Sequence, residues 1–135
     1  MTFNDITIVP VRTDRKVAYL EFSARIAKIY REYGALRVVD CWQSDDASDD
    51  ADFHAADAMK DYSSVELPNM KKFAAAIHGE TVVVSITEWP SREVRDRAVK
   101  AVMVDPRIQA TMDEEPVFDG QRVIAAGFDV ELDLH

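Results

Sequence analysis

Apolar residues recur along this chain in two rhythms, and the switches between them divide it into elements. From Phe3 to Arg12, "FNDITIVPVR" alternates with a period of two, placing Ile6 and Ile8 on one side and Asp5, Thr7, Val9 and Val11 on the other. That is a strand, and Pro10, with no N–H for a ladder, puts it at an edge or close to a strand end. "TDRKVAYLEFSARIAKIYREYG" then shifts to helical spacing. Thr13 or Asp14 serves as N-cap and Gly34 suits the left-handed position after the last turn. Two apolar rows run along this helix, one through Val17, Leu20, Ala24 and Ala27, the other through Tyr19, Phe22, Ile26, Ile29 and Tyr33, an arc wider than contact with one sheet requires.

"ALRVVDCWQ", Ala35 to Gln43, is rich in β-branched and aromatic residues and reads as a second strand. "ETVVVSITEW" is a third, with Val82, Val84 and Ile86 on one side and Val83, Ser85, Thr87 and Trp89 on the other. Ser91 caps a helix that runs to about Val104, with Arg92 and Asp96, and Glu93 and Arg97, at i,i+4 spacing, and Pro106 ends it. A helical turn follows at Arg107 to Glu114. Asp119-Gly120 then turns the chain into a last strand from Gln121 to about Asp133. Strands and helices alternate as β-α-β-β-α-β, which predicts an α+β domain: an antiparallel four-stranded sheet in the ferredoxin-like split βαβ arrangement, both helices on one face.

Composition alters this picture in one place. Ser44 to Asp61 holds seven aspartates and one lysine and cannot be a core element, so the single domain over residues 1–135 carries an acidic, solvated insertion there, with a weak helical turn near Ala55 to Lys60. Tyr62 to Gly79 reads as a short extended piece at Ser64 to Leu67 and a helical turn or two after Pro68. With 25 acidic against 16 basic side chains the formal charge is −9, which repels nucleic acid and anionic membranes. One cysteine, no secretory leader pattern and no apolar run of membrane-spanning length predict a cytoplasmic protein.

Two helices cover one face of a sheet. Assigning Val82, Val84, Ile86, Ile124, Phe128 and Val130 to the helices leaves Val83, Ser85, Thr87, Trp89, Val123, Ala125 and Gly127 on the open face. An apolar face of that kind is normally hidden from water, and the expected partner is a second copy of the chain, with the small residues leaving a cavity. Three segments, "REYGALRVVDC", "ETVVVSITEWPSREVRDRAVKAVMVDPRI" and "FDGQRVIAAGFDV", resemble the YbaA-like family of uncharacterised bacterial proteins, in the dimeric α/β-barrel superfamily. The resemblance implies a ferredoxin-like fold and a homodimer, a dimeric α/β-barrel built from two sheets. It carries over no catalytic residues.

The chemistry-bearing residues are few. Cys41 has no cation, histidine or helix N-terminus beside it in sequence and reads as a buried strand cysteine. His54, His78 and His135 show no metal-ligand spacing, and His78, before Gly79, reads as a surface residue at a turn. The aspartate-rich insertion lacks the glycine and terminal glutamate of a calcium loop. No nucleotide-binding or serine-hydrolase motif occurs, so neither metal nor cofactor is expected. Trp89 is the strongest candidate for a cavity wall, alternatively for a plug at the barrel end. The cavity or ligand-binding candidates are therefore Trp89, Ser85, Thr87, Cys41, His78 and Arg122. Two functions follow: a protein binding a small apolar molecule between sheet and helices or, by analogy with the superfamily, a cofactor-independent monooxygenase- or isomerase-like enzyme acting on a small aromatic or polyketide-like substrate. A cavity on which His78, Cys41, Asp40 or Arg122 converge favours the enzyme. One lined by Trp89, Trp42 and valines favours a structural dimer.

Overall fold

The computed structural model describes residues 1–44 and 68–135. The acidic insertion beyond Ser44, its helical turn and the extended piece at Ser64 to Leu67 lie outside the described residues. The strands are β1 (Phe3–Arg12), β2 (Arg37–Trp42), β3 (Glu80–Trp89) and β4 (Ile124–Asp129). The helices are α1 (Lys16–Glu32), the short α2 (Met70–Phe73), α3 (Arg92–Met103) and α4 (Pro106–Ala110). The strands form one antiparallel sheet in the order β2-β3-β1-β4, the split βαβ arrangement that the sequence predicts.

Local chemistry sets most boundaries. A 3-10 turn at Thr13–Arg15 leads into α1 without side-chain capping, so neither Thr13 nor Asp14 is its cap. Gly34, at φ +111°, takes the left-handed conformation after α1 that glycine adopts without strain. The Ser91 side chain accepts a hydrogen bond from Val94 N–H and starts α3. Asp105 ends that helix and caps the next: its carboxylate accepts from Arg107 N–H at 2.8 Å, from the Arg107 guanidinium and from Tyr33 O–H at 2.7 Å. This is why "VDPRI" stops one helix and starts another. The last strand is shorter than its apolar pattern, because Gly120–Arg122 winds into a 3-10 turn and β4 begins only at Ile124.

The structure inverts the predicted assignment of sheet faces. Thr7 pairs with Ser85 and Asp5 with Thr87, while Asp40 and Val38 lie opposite the same two β3 residues from the other side. Buried Phe3, Trp89 and Val83 share this parity and pack against α1 and α3, so Ser85, Thr87, Ala125 and Gly127 belong to the helix side. Val82, Val84, Ile86, Ile124 and Phe128 belong to the open side, where α2 sits over one corner: Met70 shares a shallow cavity wall with Cys41, Val82 and Val84. Period-two alternation separates two sets of residues, but both are apolar enough to be covered. Only helix packing chooses between them.

The covered face holds two hydrophobic clusters. Phe3, Ala35, Trp89 and Ala98 fill one end, with Tyr30, Tyr33 and Val94 against them. Val9, Val11, Tyr19 and Val83 fill the other, with Trp42 and Phe118 against them. On α1 the row containing Tyr19 and Ile29 is buried, whereas Val17, at 83% exposure, and Leu20 face outward.

Candidate functional site

Between the two clusters, two successive rungs of the sheet are polar. Reading across β2, β3 and β1, they are Val38–Thr87–Asp5 and Asp40–Ser85–Thr7. A helix–sheet interface is normally apolar throughout, because a polar group taken out of water costs free energy unless it is hydrogen-bonded. Here the bonding accounts for part of the set. Asp40 accepts from Ser85 O–H at 2.6 Å and from Ser23 O–H of α1, which ties β2, β3 and the helix to one carboxylate. Asp5 accepts from the Trp89 indole N–H at 3.0 Å and from Arg95 Nε at 2.9 Å, and the Arg95 guanidinium also donates to Asp96 at 3.1 Å and lies over the Phe3 ring.

The remaining polar groups face space. An inner cavity of about 190 Å³ lies between α1 and the sheet, with Tyr19, Phe22, Ile26 and Phe118 as its apolar walls and Asp40 and Ser85 as its polar floor. A second, of about 300 Å³, opens toward β4 and α3 and is lined by Trp89, Arg95, Val99 and Ala125. Thr7, Tyr30, Ser85 and Thr87 line both. Thr87 is only 9% exposed, and its hydroxyl has no hydrogen-bond partner among the described residues. The Thr7 and Tyr30 hydroxyls likewise have none. Burial pushes the Tyr30 phenol up from its ordinary value, with Asp5 adding to the shift, and burial does the same to Tyr19, so both are neutral hydroxyls at physiological pH.

Of the predicted site residues, the structure brings three together. Ser85 and Thr87 line both cavities, and Trp89, 1% exposed, walls the larger one while packing with Phe3 and Ala98. Its two alternative readings merge into one buried wall. Cys41 is exposed on the open face and is not the buried strand cysteine that the sequence predicts. His78 is exposed in the loop before β3 and lines neither cavity. Arg122 binds Glu80 through two hydrogen bonds of 2.7 and 2.8 Å and donates to the Ala75 carbonyl at 2.8 Å, so it holds a loop beside a different surface groove. Of the four residues whose convergence favours an enzyme, only Asp40 reaches the cavity.

Asp5, Thr7, Ser23, Tyr30 and Arg95 complete the site and were not among the candidates. A signal for the strand residues existed: Asp5 and Thr7 alternate with Ile6 and Ile8 as Ser85 and Thr87 alternate with Val84 and Ile86, two polar pairs at matching places in two strands. Ser23, Tyr30 and Arg95 have no such signal, because an isolated polar residue on a helix is as readily solvated as buried. Among the described residues no three His, Cys, Asp or Glu side chains gather to hold a metal ion, and no helix is long and apolar enough to cross a membrane.

The sequence profile of a family described as "Protein of unknown function (DUF1428)" matches residues 2–120. Over 133 residues the chain is 38% identical to "Uncharacterized protein YbaA" of Escherichia coli strain K12, covering 98% of this chain and 99% of that one. The proteins of the same description from Escherichia coli O157:H7 and Shigella flexneri match with the same identity and coverage.

Proposed function

The chain belongs to the DUF1428 family, and we propose that it is a small-molecule-binding protein that works as a homodimer, holding a compact, largely apolar ligand between its helices and its sheet. The observation that carries this reading is the pair of adjoining cavities on the covered face, lined in common by Thr7, Tyr30 and Thr87, whose hydroxyls have no hydrogen-bond partner among the described residues. Each of these hydroxyls can exchange a hydrogen bond with a bound molecule. Aromatic walls from Tyr19, Tyr30, Trp89 and Phe118 suit a flat apolar body. The partner copy covers the open face, where Ile124 is 37% and Phe128 49% exposed beside Ile6, Ile8, Val84 and Ile86. At one end of that patch Arg37 stands in register with Glu88, so that end offers both charges to a partner copy. A reducing cytoplasm suits the exposed Cys41 thiol.

One observation favours a second reading. Asp40 is a carboxylate at the wall of a cavity, within reach of a bound molecule's acidic proton, which suits a cofactor-independent monooxygenase- or isomerase-like enzyme acting on a small aromatic or polyketide-like substrate. Both Asp40 oxygens already accept hydroxyl hydrogen bonds, an arrangement that serves orientation better than proton abstraction, and binding is therefore the primary role. A thermal-shift screen of small aromatic and polyketide-like compounds tests it. A ligand at 100 times its Kd adds about 2.7 kcal/mol to stability, and Thr87→Val should weaken every such ligand several-fold. If no compound raises the melting temperature, or if every stabilising compound ignores Thr87→Val, the cavity is not the site. Consumption of a stabilising compound, lost in Asp40→Asn, would establish the enzyme instead.

A further inference from the structure

Among the described residues, the inner cavity is lined by a carboxylate and by no cation. Asp40 is half-buried, its two oxygens accept hydrogen bonds from Ser23 and Ser85, and it forms no ion pair among the described residues. Hydroxyl groups solvate a negative charge but do not neutralise it, and carboxylates withdrawn from water are usually paired. Among the described residues no lysine, arginine or histidine lines the inner cavity. Among the described residues the one cation bordering the adjoining space, Arg95, is already engaged by Asp5 and Asp96, so the described lining of the two cavities is acidic. An anionic ligand would meet repulsion there, whereas a cation would find a counterion, free hydroxyl acceptors and aromatic rings.

From this we infer that the ligand is a protonated amine on a small aromatic or apolar body, its ammonium group paired with Asp40. The inference rests on the cavity reading given above and adds the ligand's charge to it. Each Asp40 oxygen has a second acceptor site beyond its serine bond, and an ammonium has three N–H groups to place, for which the Thr7 and Thr87 hydroxyl oxygens on the same cavity wall are further acceptors. Tyr19 and Tyr30 border the same space and present aromatic surface, to which cations are attracted.

The test compares three probes of one shape on the full chain by calorimetry at pH 7: 2-phenylethylamine, the neutral 2-phenylethanol and the anionic phenylacetate. The amine should bind about tenfold tighter than the alcohol, the scale of a hydrogen bond to a charged group, and phenylacetate more weakly than either. In Asp40→Asn the amine should lose its advantage over the alcohol. Thr87→Val, which keeps the carboxylate and the shape, should weaken the amine several-fold yet leave the preference intact, and it serves if Asp40→Asn does not fold. Equal or tighter binding of the alcohol or the acid overturns the amine while leaving the cavity as a binding site. A preference for the amine that survives Asp40→Asn overturns Asp40 as its counterion. Binding of none of the three overturns the inference, and the cavity reading falls with it only if the wider screen is silent too.

Discussion

The two faces of this sheet reverse the usual division between inside and outside. The face covered by helices carries polar groups at its centre, Asp5, Thr7, Asp40, Ser85 and Thr87, whereas the uncovered face is a field of Ile6, Ile8, Val84, Ile86 and Phe128. A sheet built only for stability would place the apolar set beneath the helices. The covered face instead concentrates its hydrophobic contacts at its two ends and leaves the middle for hydrogen bonds and a cavity. Among the described residues only α2 sits over the apolar face, at one corner. The proposed binding site and the proposed association surface thus rest on one arrangement.

The sharpest way to break this contrast is to place the same charge on each face. Val83 is fully buried at the covered face, so Val83→Asp should cost on the order of 4 kcal/mol and yield unfolded or insoluble protein, read by circular dichroism. Ile86, three residues along the same strand but on the open face, should tolerate Ile86→Arg as a folded chain, and light scattering should report the mass of one copy where the proposed dimer gives two. A folded Val83→Asp variant, or a dimeric Ile86→Arg variant, would show that the faces are assigned the wrong way round.

Smaller changes grade the covered face. Trp89→Phe removes the indole hydrogen bond to Asp5 and part of a ring packed on Tyr30 and Phe3, and should lower stability by roughly 1–3 kcal/mol with the dimer intact, measured by urea unfolding. Asp105 provides a control away from both faces. Arg107 and the Tyr33 hydroxyl hold its carboxyl well below the usual carboxylate range. A carboxyl with a folded value lower than its unfolded value of about 3.9 stabilises the protein at neutral pH and loses that contribution as the pH falls below the unfolded value toward the folded one. Asp105→Asn should therefore unfold more readily at pH 7 and show a shallower decline of melting temperature between about pH 4 and pH 2. The smallest effect is expected at Ala75, which sits at φ +55° in the left-handed region after α2. Ala75→Gly should raise stability by a few tenths to about 1 kcal/mol, a shift of a few degrees at most.

Much of the fold was legible along the chain because its signals are local. Ser91, Gly34 and "VDPRI" mark ends through hydrogen bonds made within a few residues, and the predicted strand Glu80–Trp89 matches the observed one. The site was legible only in part. Ser85, Thr87 and Trp89 were found because they alternate with valine and isoleucine in one strand, whereas Cys41, His78 and Arg122 drew attention by residue type and lie elsewhere.

By itself, then, the sequence determined the element order, the split βαβ sheet and the partition of every strand into two sets of side chains, since each follows from a period or a short-range bond. Only the tertiary structure decided which set the helices cover. Alternation is symmetric between the faces, and the choice rests on distant partners meeting: Ser23 with Asp40 across 17 residues, Ser85 with Asp40 across 45, Trp89 with Asp5 across 84 and Arg95 with Asp5 across 90. Such contacts leave no period in the chain. They arise only when three strands and two helices have already packed.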